Sequence, residues 1–239
     1  MKSKINFLRF AQIVNRQSKI VHHLIALLVL CMSACTLDNF DEPDAPFYGS
    51  IIDKDTFEPI QQDLFEGARI DYVEQGFKNP NTRQIRFQTD GTFRENNLFS
   101  GTYEMQALRG NFYPTVKETI ELNGATEHIF VARPYIRIKD VSITFDETKG
   151  EVTAEFTMEP VLEDPSSDPS GTNPVASVRL FADRNPNLSN TLRAFSSGLE
   201  VNAAVQPDQK FTIKMSTLEM VSGKERKEYY FRVAALIAE

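Results

Sequence analysis

The sequence is short of the side chains that most chemistry needs. It has two cysteines, Cys31 and Cys35, and none follows them. A disulfide framework and a Cys-ligated zinc or iron–sulfur site are therefore excluded beyond the N-terminal segment. Of three histidines only His128 lies outside the first 23 residues. Ser-His-Asp catalysis would have to use it, and there is no Gly-x-Ser-x-Gly elbow to go with it. Walker and dinucleotide-binding patterns are also missing. A glycosidase-type hydrolase needs paired carboxylates converging in a cleft, and the many carboxylates show no such pattern. The expectation is a protein that is not an enzyme and uses neither a cofactor nor a metal. Tryptophan is absent as well, which removes the largest aromatic platform for a ligand.

Acidic residues are missing from the N-terminus, where no Asp or Glu precedes Asp38. Lys2, Lys4, Arg9, Arg16 and Lys19 lead into an apolar stretch from about Ile20 to Met32, broken by His22 and His23. The stretch is short of the roughly 20 apolar residues of a comfortable membrane span. A basic start, an apolar core and small residues at Ser33 and Ala34 are the layout of a secretory signal. Cys35 directly after them fits a bacterial lipobox, with Met32 in place of the commoner Leu. The reading is a lipoprotein signal peptide over 1–34 and lipidation at Cys35, so the chain is anchored to a membrane and does not span it. An uncleaved single-span anchor and a cleaved, non-lipidated signal are the alternatives. Cys31 reads as a small hydrophobe.

Residues 35–45 form a short acidic tether containing Asp38, Asp41, Glu42 and Asp44. It resembles the acid-rich segment that follows the lipidated Cys in Bacteroidetes lipoproteins. That resemblance implies an outer-membrane protein exposed on the cell surface. A solvated linker with periplasmic retention is the other reading. Five basic and no acidic residues precede Cys35, so removing 1–34 takes the formal net charge from -7 to about -12. Such a chain repels nucleic acid and anionic lipid surfaces. It has room for one large or two small domains.

Period-2 alternation dominates the remainder, and the expected fold class is all-β, with two tandem β-sandwiches. In the first, 46–132, strands are expected over 47–53, 68–74, 84–89, 92–94, 98–107, 116–122 and 128–131. Asp90-Gly91 is a strong hairpin turn. Arg133-Pro134 marks the boundary, because proline disfavours a continuing central strand. In the second, 133–239, strands are expected over 135–145, 151–158, 175–182, 211–215 and 228–235. Val152, Ala154, Phe156 and Met158 share one face, and 164–174 reads as a long exposed loop.

Gly49-x-Ile51-x-Asp53, the Thr56 to Ile60 turn, Thr89-Asp90-Gly91-Thr92-Phe93 and Ser100-Gly101-Thr102-Tyr103 together resemble the carboxypeptidase regulatory-like, transthyretin-like sandwich. The likeness covers 46–132 and implies structural roles for these residues. Tyr229-Tyr230-Phe231-Arg232-Val233-Ala234-Ala235 looks like the penultimate strand of fibronectin type III-like modules. In that fold a final strand follows, so the second sandwich is expected to be incomplete. Either 236–239 is what remains of the last loop, or the protein is shortened relative to its relatives. Taken whole, the chain resembles uncharacterised Bacteroidetes lipoproteins whose genes lie beside Sus-type uptake systems in polysaccharide utilisation loci.

Candidate sites are few. Asp53 and Asp55 at a turn, and Glu163, Asp164 and Asp168 in the long loop, are either calcium-binding oxygens or solvated turns; no twelve-residue calcium loop is present. Asn111, Phe112 and Tyr113 are the candidate glycan contacts, with the rings as platform and the amide as polar partner; the alternative is that the rings seal the end of the first sandwich. At least one of Tyr229 and Tyr230 must be buried, because neighbours on a strand face opposite ways. Arg179, Arg184 and Arg193 read as partners of surface carboxylates or contacts for acidic sugars. The function expected is a non-enzymatic lipoprotein accessory to glycan binding or uptake, docking onto a Sus-type complex. The alternative is a structural or adhesive surface module acting through protein contacts.

Overall fold

In the computed structural model residues 41–164, 174–217 and 228–238 are described. Among them there are thirteen strands and no helix. The leader, Cys35 and Asp168 lie outside the described residues.

The first sandwich contains β1 (Phe47–Asp53), β2 (Arg69–Glu74), β3 (Arg83–Arg86), β4 (Thr92–Glu95), β5 (Gly101–Leu108), β6 (Glu118–Leu122) and β7 (Thr126–Ala132). One sheet has the order β4-β1-β7 and the other β3-β2-β5-β6. All pairs are antiparallel except β1 with β7, which run parallel. The alternation read from sequence is what the sheets bury. Phe47, Ile51, Ile70, Met105, Ala107 and Phe130 are sealed in the core, while their strand neighbours face outward. Phe87, Phe93 and Phe130 meet edge-on or tilted at 5.6–6.5 Å, geometries that suit the ring quadrupoles.

The second sandwich contains β8 (Ile136–Asp146), β9 (Glu151–Pro160), β10 (Val175–Asp183), β11 (Phe195–Ala203), β12 (Gln209–Ser216) and β13 (Tyr230–Ile237). Its sheets are β12-β9-β8 and β11-β10-β13. Val152, Ala154, Phe156 and Met158 are all buried and form a third of its buried core. Tyr229 packs against that core and Tyr230 is exposed, as the alternation requires. The strand not expected from sequence is β11. Its run Phe195-Ser196-Ser197-Gly198 has little apolar period, and it lies at a sheet edge where Leu199 stays exposed. Among the described residues β13 pairs with β10 on one side and with no strand on the other.

Candidate functional site

The ends of the first sandwich have different tasks. One end carries the second sandwich. The turn after β1 directs Asp53 and Asp55 at arginines from the following chain. The Arg137 guanidinium lies 2.5 Å from Asp53, 2.6 Å from Asp55 and 3.2 Å from Glu159. Arg133 reaches Asp55 at 3.3 Å and donates to the Glu163 carbonyl at 2.9 Å. Burial alone would raise the Asp53 carboxyl. The hydrogen bonds and charge of Arg137, with the Asp55 amide, outweigh that and hold it below the usual carboxylate range. Asp55 is held low by its hydrogen bonds to Arg133 and Arg137. Asp53 and Asp55 thus hold arginine guanidinium groups here.

The glycan candidates Asn111, Phe112 and Tyr113 lie at this same end. Phe112 is fully buried in the first core. The Asn111 side chain accepts from Gln62 at 2.8 Å and donates to the Gln61 carbonyl at 3.0 Å. Tyr113 stacks edge-on against Tyr135 at 4.6 Å and donates its hydroxyl to the Val161 carbonyl at 3.0 Å. Burial pushes the Tyr113 phenol up. The three residues do not converge on an open surface. Arg232 completes the junction by donating to the carbonyls of Leu188 and Gln62, each at 2.9 Å. Burial lowers its pKa, against the attraction of Asp63.

The other candidates sit apart. Arg179 pairs with Glu200, and Arg193 lies over the Phe181 ring at 5.0 Å. His128 packs edge-on against Phe130 at 4.6 Å, with Nε2 3.3 Å from the Glu118 carboxylate. Among the described residues no group of three or more His, Cys, Asp or Glu could hold a metal.

The opposite end gathers residues that the sequence reading passed over. β2 ends beside the start of β5, where Glu74 opposes Tyr103 and the Gln75 amide donates to the Thr102 carbonyl at 2.8 Å. The loop 75–82 leaves from there, and the loop 96–100 returns to the same place. The Tyr103 hydroxyl donates to the Phe99 carbonyl at 2.9 Å. Ser100 donates its amide and its hydroxyl to Asp44 at 2.7 and 2.8 Å, holding that carboxyl below the usual range. The first loop exposes Phe77, at 62%, beside Lys78, Asn79 and Asn81. The second exposes Phe99, at 42%, beside Asn96 and Asn97. A partial signal was present in sequence: Phe77 stands in an asparagine-containing stretch between expected strands, whereas Phe99 falls within the strand expected over 98–107, which begins only at Gly101.

These features define a class, an all-β protein of two sandwiches joined by a polar, arginine-rich seam. Solved structures of similar all-β fold are known. Residues 45–131 match the family model described as "Protein of unknown function (DUF3823) N-terminal domain". A Bacteroides uniformis protein described as a "putative carbohydrate binding protein" is similar in fold, with TM-score 0.70 and 24% identity over 82% of this chain and 91% of that one. A DUF3823 family protein from Parabacteroides merdae gives TM-score 0.67 and 18% identity over 82% and 92% of the two chains. Another from Bacteroides ovatus gives 0.64 and 17% over 81% and 91%. No curated protein matches the chain.

Proposed function

We propose that this protein is a non-enzymatic lipoprotein that binds a glycan at the free end of its first sandwich, on Phe77 and Phe99. The observation that carries the reading is the pair of exposed phenyl rings on adjoining loops, bordered by asparagine amides. A sugar ring offers an apolar C–H face and a rim of hydroxyls. An exposed phenyl covers the first, and an amide, which both donates and accepts, answers the second. Loops on a rigid β scaffold are where such contacts concentrate. The description of the Bacteroides uniformis protein of similar fold supports the same ligand class.

The tether supports the placement. It joins the sandwich at this same end, where the Ala45 amide bonds the Leu98 carbonyl at 3.0 Å. The ten residues from Cys35 to Asp44 reach at most about 35 Å when extended. With Cys35 lipidated in the outer membrane, a glycan on Phe77 and Phe99 is held near the membrane surface. That is where a Sus-type uptake complex would collect it.

The test is a panel of plant and host polysaccharide fragments, followed by calorimetry on the best ligand. Phe77→Ala and Phe99→Ala should each weaken binding roughly 2- to 10-fold, the loss of one ring contact. Phe65→Ala, at the junction end, should leave it unchanged. Absence of any glycan binding, or equal affinity in all three variants, would refute the reading.

A further inference from the structure

The turn between β6 and β7 contains Asn123-Gly124, and Asn123 is the one asparagine in this sequence that glycine follows. A glycine in that place has no Cβ to shield its backbone nitrogen from the side-chain carbonyl before it. The comparable pair is Asp90-Gly91, in the turn ahead of β4. Both glycines take left-handed backbone angles, φ 84° at Gly91 and 71° at Gly124. Their surroundings differ. The Gly91 amide donates to the Gln88 carbonyl at 3.0 Å. Asp90 accepts from the Thr92 amide at 2.9 Å and from the Thr92 hydroxyl at 2.7 Å. A Cβ at position 91 would lie 2.6 Å from the Ile60 carbonyl oxygen, so that turn is packed against backbone. A Cβ at position 124 would meet nothing within 4 Å. Asn123 is exposed. Among the described residues neither its side chain nor the Gly124 amide has a hydrogen-bond partner. The turn is held from beyond this peptide bond: Thr126 donates its hydroxyl to the Gly124 carbonyl at 3.1 Å and its amide to the Pro46 carbonyl at 2.8 Å.

We propose that Asn123 is a modification site, where the chain deamidates itself to an aspartyl or isoaspartyl residue. The Gly124 nitrogen attacks the carbonyl carbon of the Asn123 side chain. A C–N bond forms there, the Gly124 amide proton passes through solvent to the departing nitrogen, and ammonia leaves. The product is a five-membered cyclic imide, which water then opens. Breaking the new bond at the side-chain carbon gives aspartate. Breaking the original peptide bond gives isoaspartate, with the backbone running through the side chain. Water is consumed, ammonia is released, and nothing is oxidised or reduced. The same attack at Asp90 requires the Gly91 amide to leave Gln88 and the carboxylate to leave Thr92, so the fold protects that pair. Either product at Asn123 puts a new carboxylate between Glu121 and Glu127 in the chain. Isoaspartate also lengthens the backbone just where β7 begins its pairing with β1, at Thr126 opposite Phe47.

The test is peptide mapping of the full chain held at mildly alkaline pH, folded and unfolded in guanidinium, over the same times. The deamidated peptide is one mass unit heavier, and fragmentation separates isoaspartate from aspartate at both sites. Asn123 should react in the folded protein at nearly its unfolded rate. Isoaspartate at Asp90 should form about tenfold or more slowly in the folded chain than in the unfolded one, because its bonds must first break. Equal ratios of folded to unfolded rate at the two sites, or no heavier product at Asn123 in the folded chain, would overturn the proposal.

Discussion

Gly49 shows how a single side-chain atom decides the first sandwich. β1 and β7 run parallel, with Gly49 opposite His128. A Cβ at position 49 would lie 1.8 Å from the His128 carbonyl oxygen, a backbone atom that moves only with its strand. Gly49→Ala should therefore cost on the order of 3 kcal/mol by overpacking, read as a lowered midpoint in chemical denaturation. Gly101→Ala is the control. A Cβ there meets only the Tyr103 ring, at 3.7 Å, and should change stability by less than about 0.5 kcal/mol. An unchanged midpoint for Gly49→Ala would show that β7 can give way. The sequence marked Gly49 and Asp53 as one motif but held no reason for either. The reasons are a parallel neighbour about 80 residues on and Arg137, contacts that no local period reports.

At the scale of elements, alternation located most of the strands, because most have one face on a core and one toward solvent. It failed at β11, an edge strand whose Ser196, Ser197 and Gly198 carry no apolar face. Asn111, Phe112 and Tyr113 lie between β5 and β6, where no period shows which way a side chain points; Phe112 is buried, and the other two bond across the junction. The exposed Phe77 was less legible because loops have no period to test a side chain against, and Phe99 was read as part of a strand over 98–107 that begins only at Gly101. The strand orders make a direct prediction. In native-state hydrogen exchange β1, β2, β5, β9 and β10, each bonded on both edges, should exchange slowest. Among the described residues, the amides on the unpaired edges of β3, β6, β11 and β13 should exchange fastest. Protection at the free edge of β13 equal to that of β9 would mean that this edge is covered in solution.

The whole molecule behaves as two sandwiches locked by charge more than by a shared apolar core. Its two hydrophobic clusters are separate, one ending at Ala132 and the other beginning at Val152. Between them lie the Arg137 cluster, the Arg232 bonds to Leu188 and Gln62, and the bonds from Asn190 to Asp63 and Glu66. A seam of this kind has a pH dependence with a definite sign. The Asp53 and Asp55 carboxyls are held below their ordinary value of 3.8 in the folded protein. Their contribution is therefore complete above the unfolded value and is lost as pH falls through it toward the lower folded values. Asp55 is half exposed and screened by solvent, so Asp53 carries most of the effect. Stability should be flat from about pH 7 to about pH 5 and fall below about pH 4. Arg137→Gln strands Asp53 without its partner, which should cost about 3 kcal/mol near neutrality and flatten the acid limb. If the seam sets the angle between the sandwiches, small-angle scattering should show a larger radius of gyration for Arg137→Gln combined with Arg232→Gln. Near-native circular dichroism in that variant would show that each sandwich still folds. An unchanged radius would mean that the short connection from Ala132 to Ile136 alone holds them, and that the arginines stabilise without orienting.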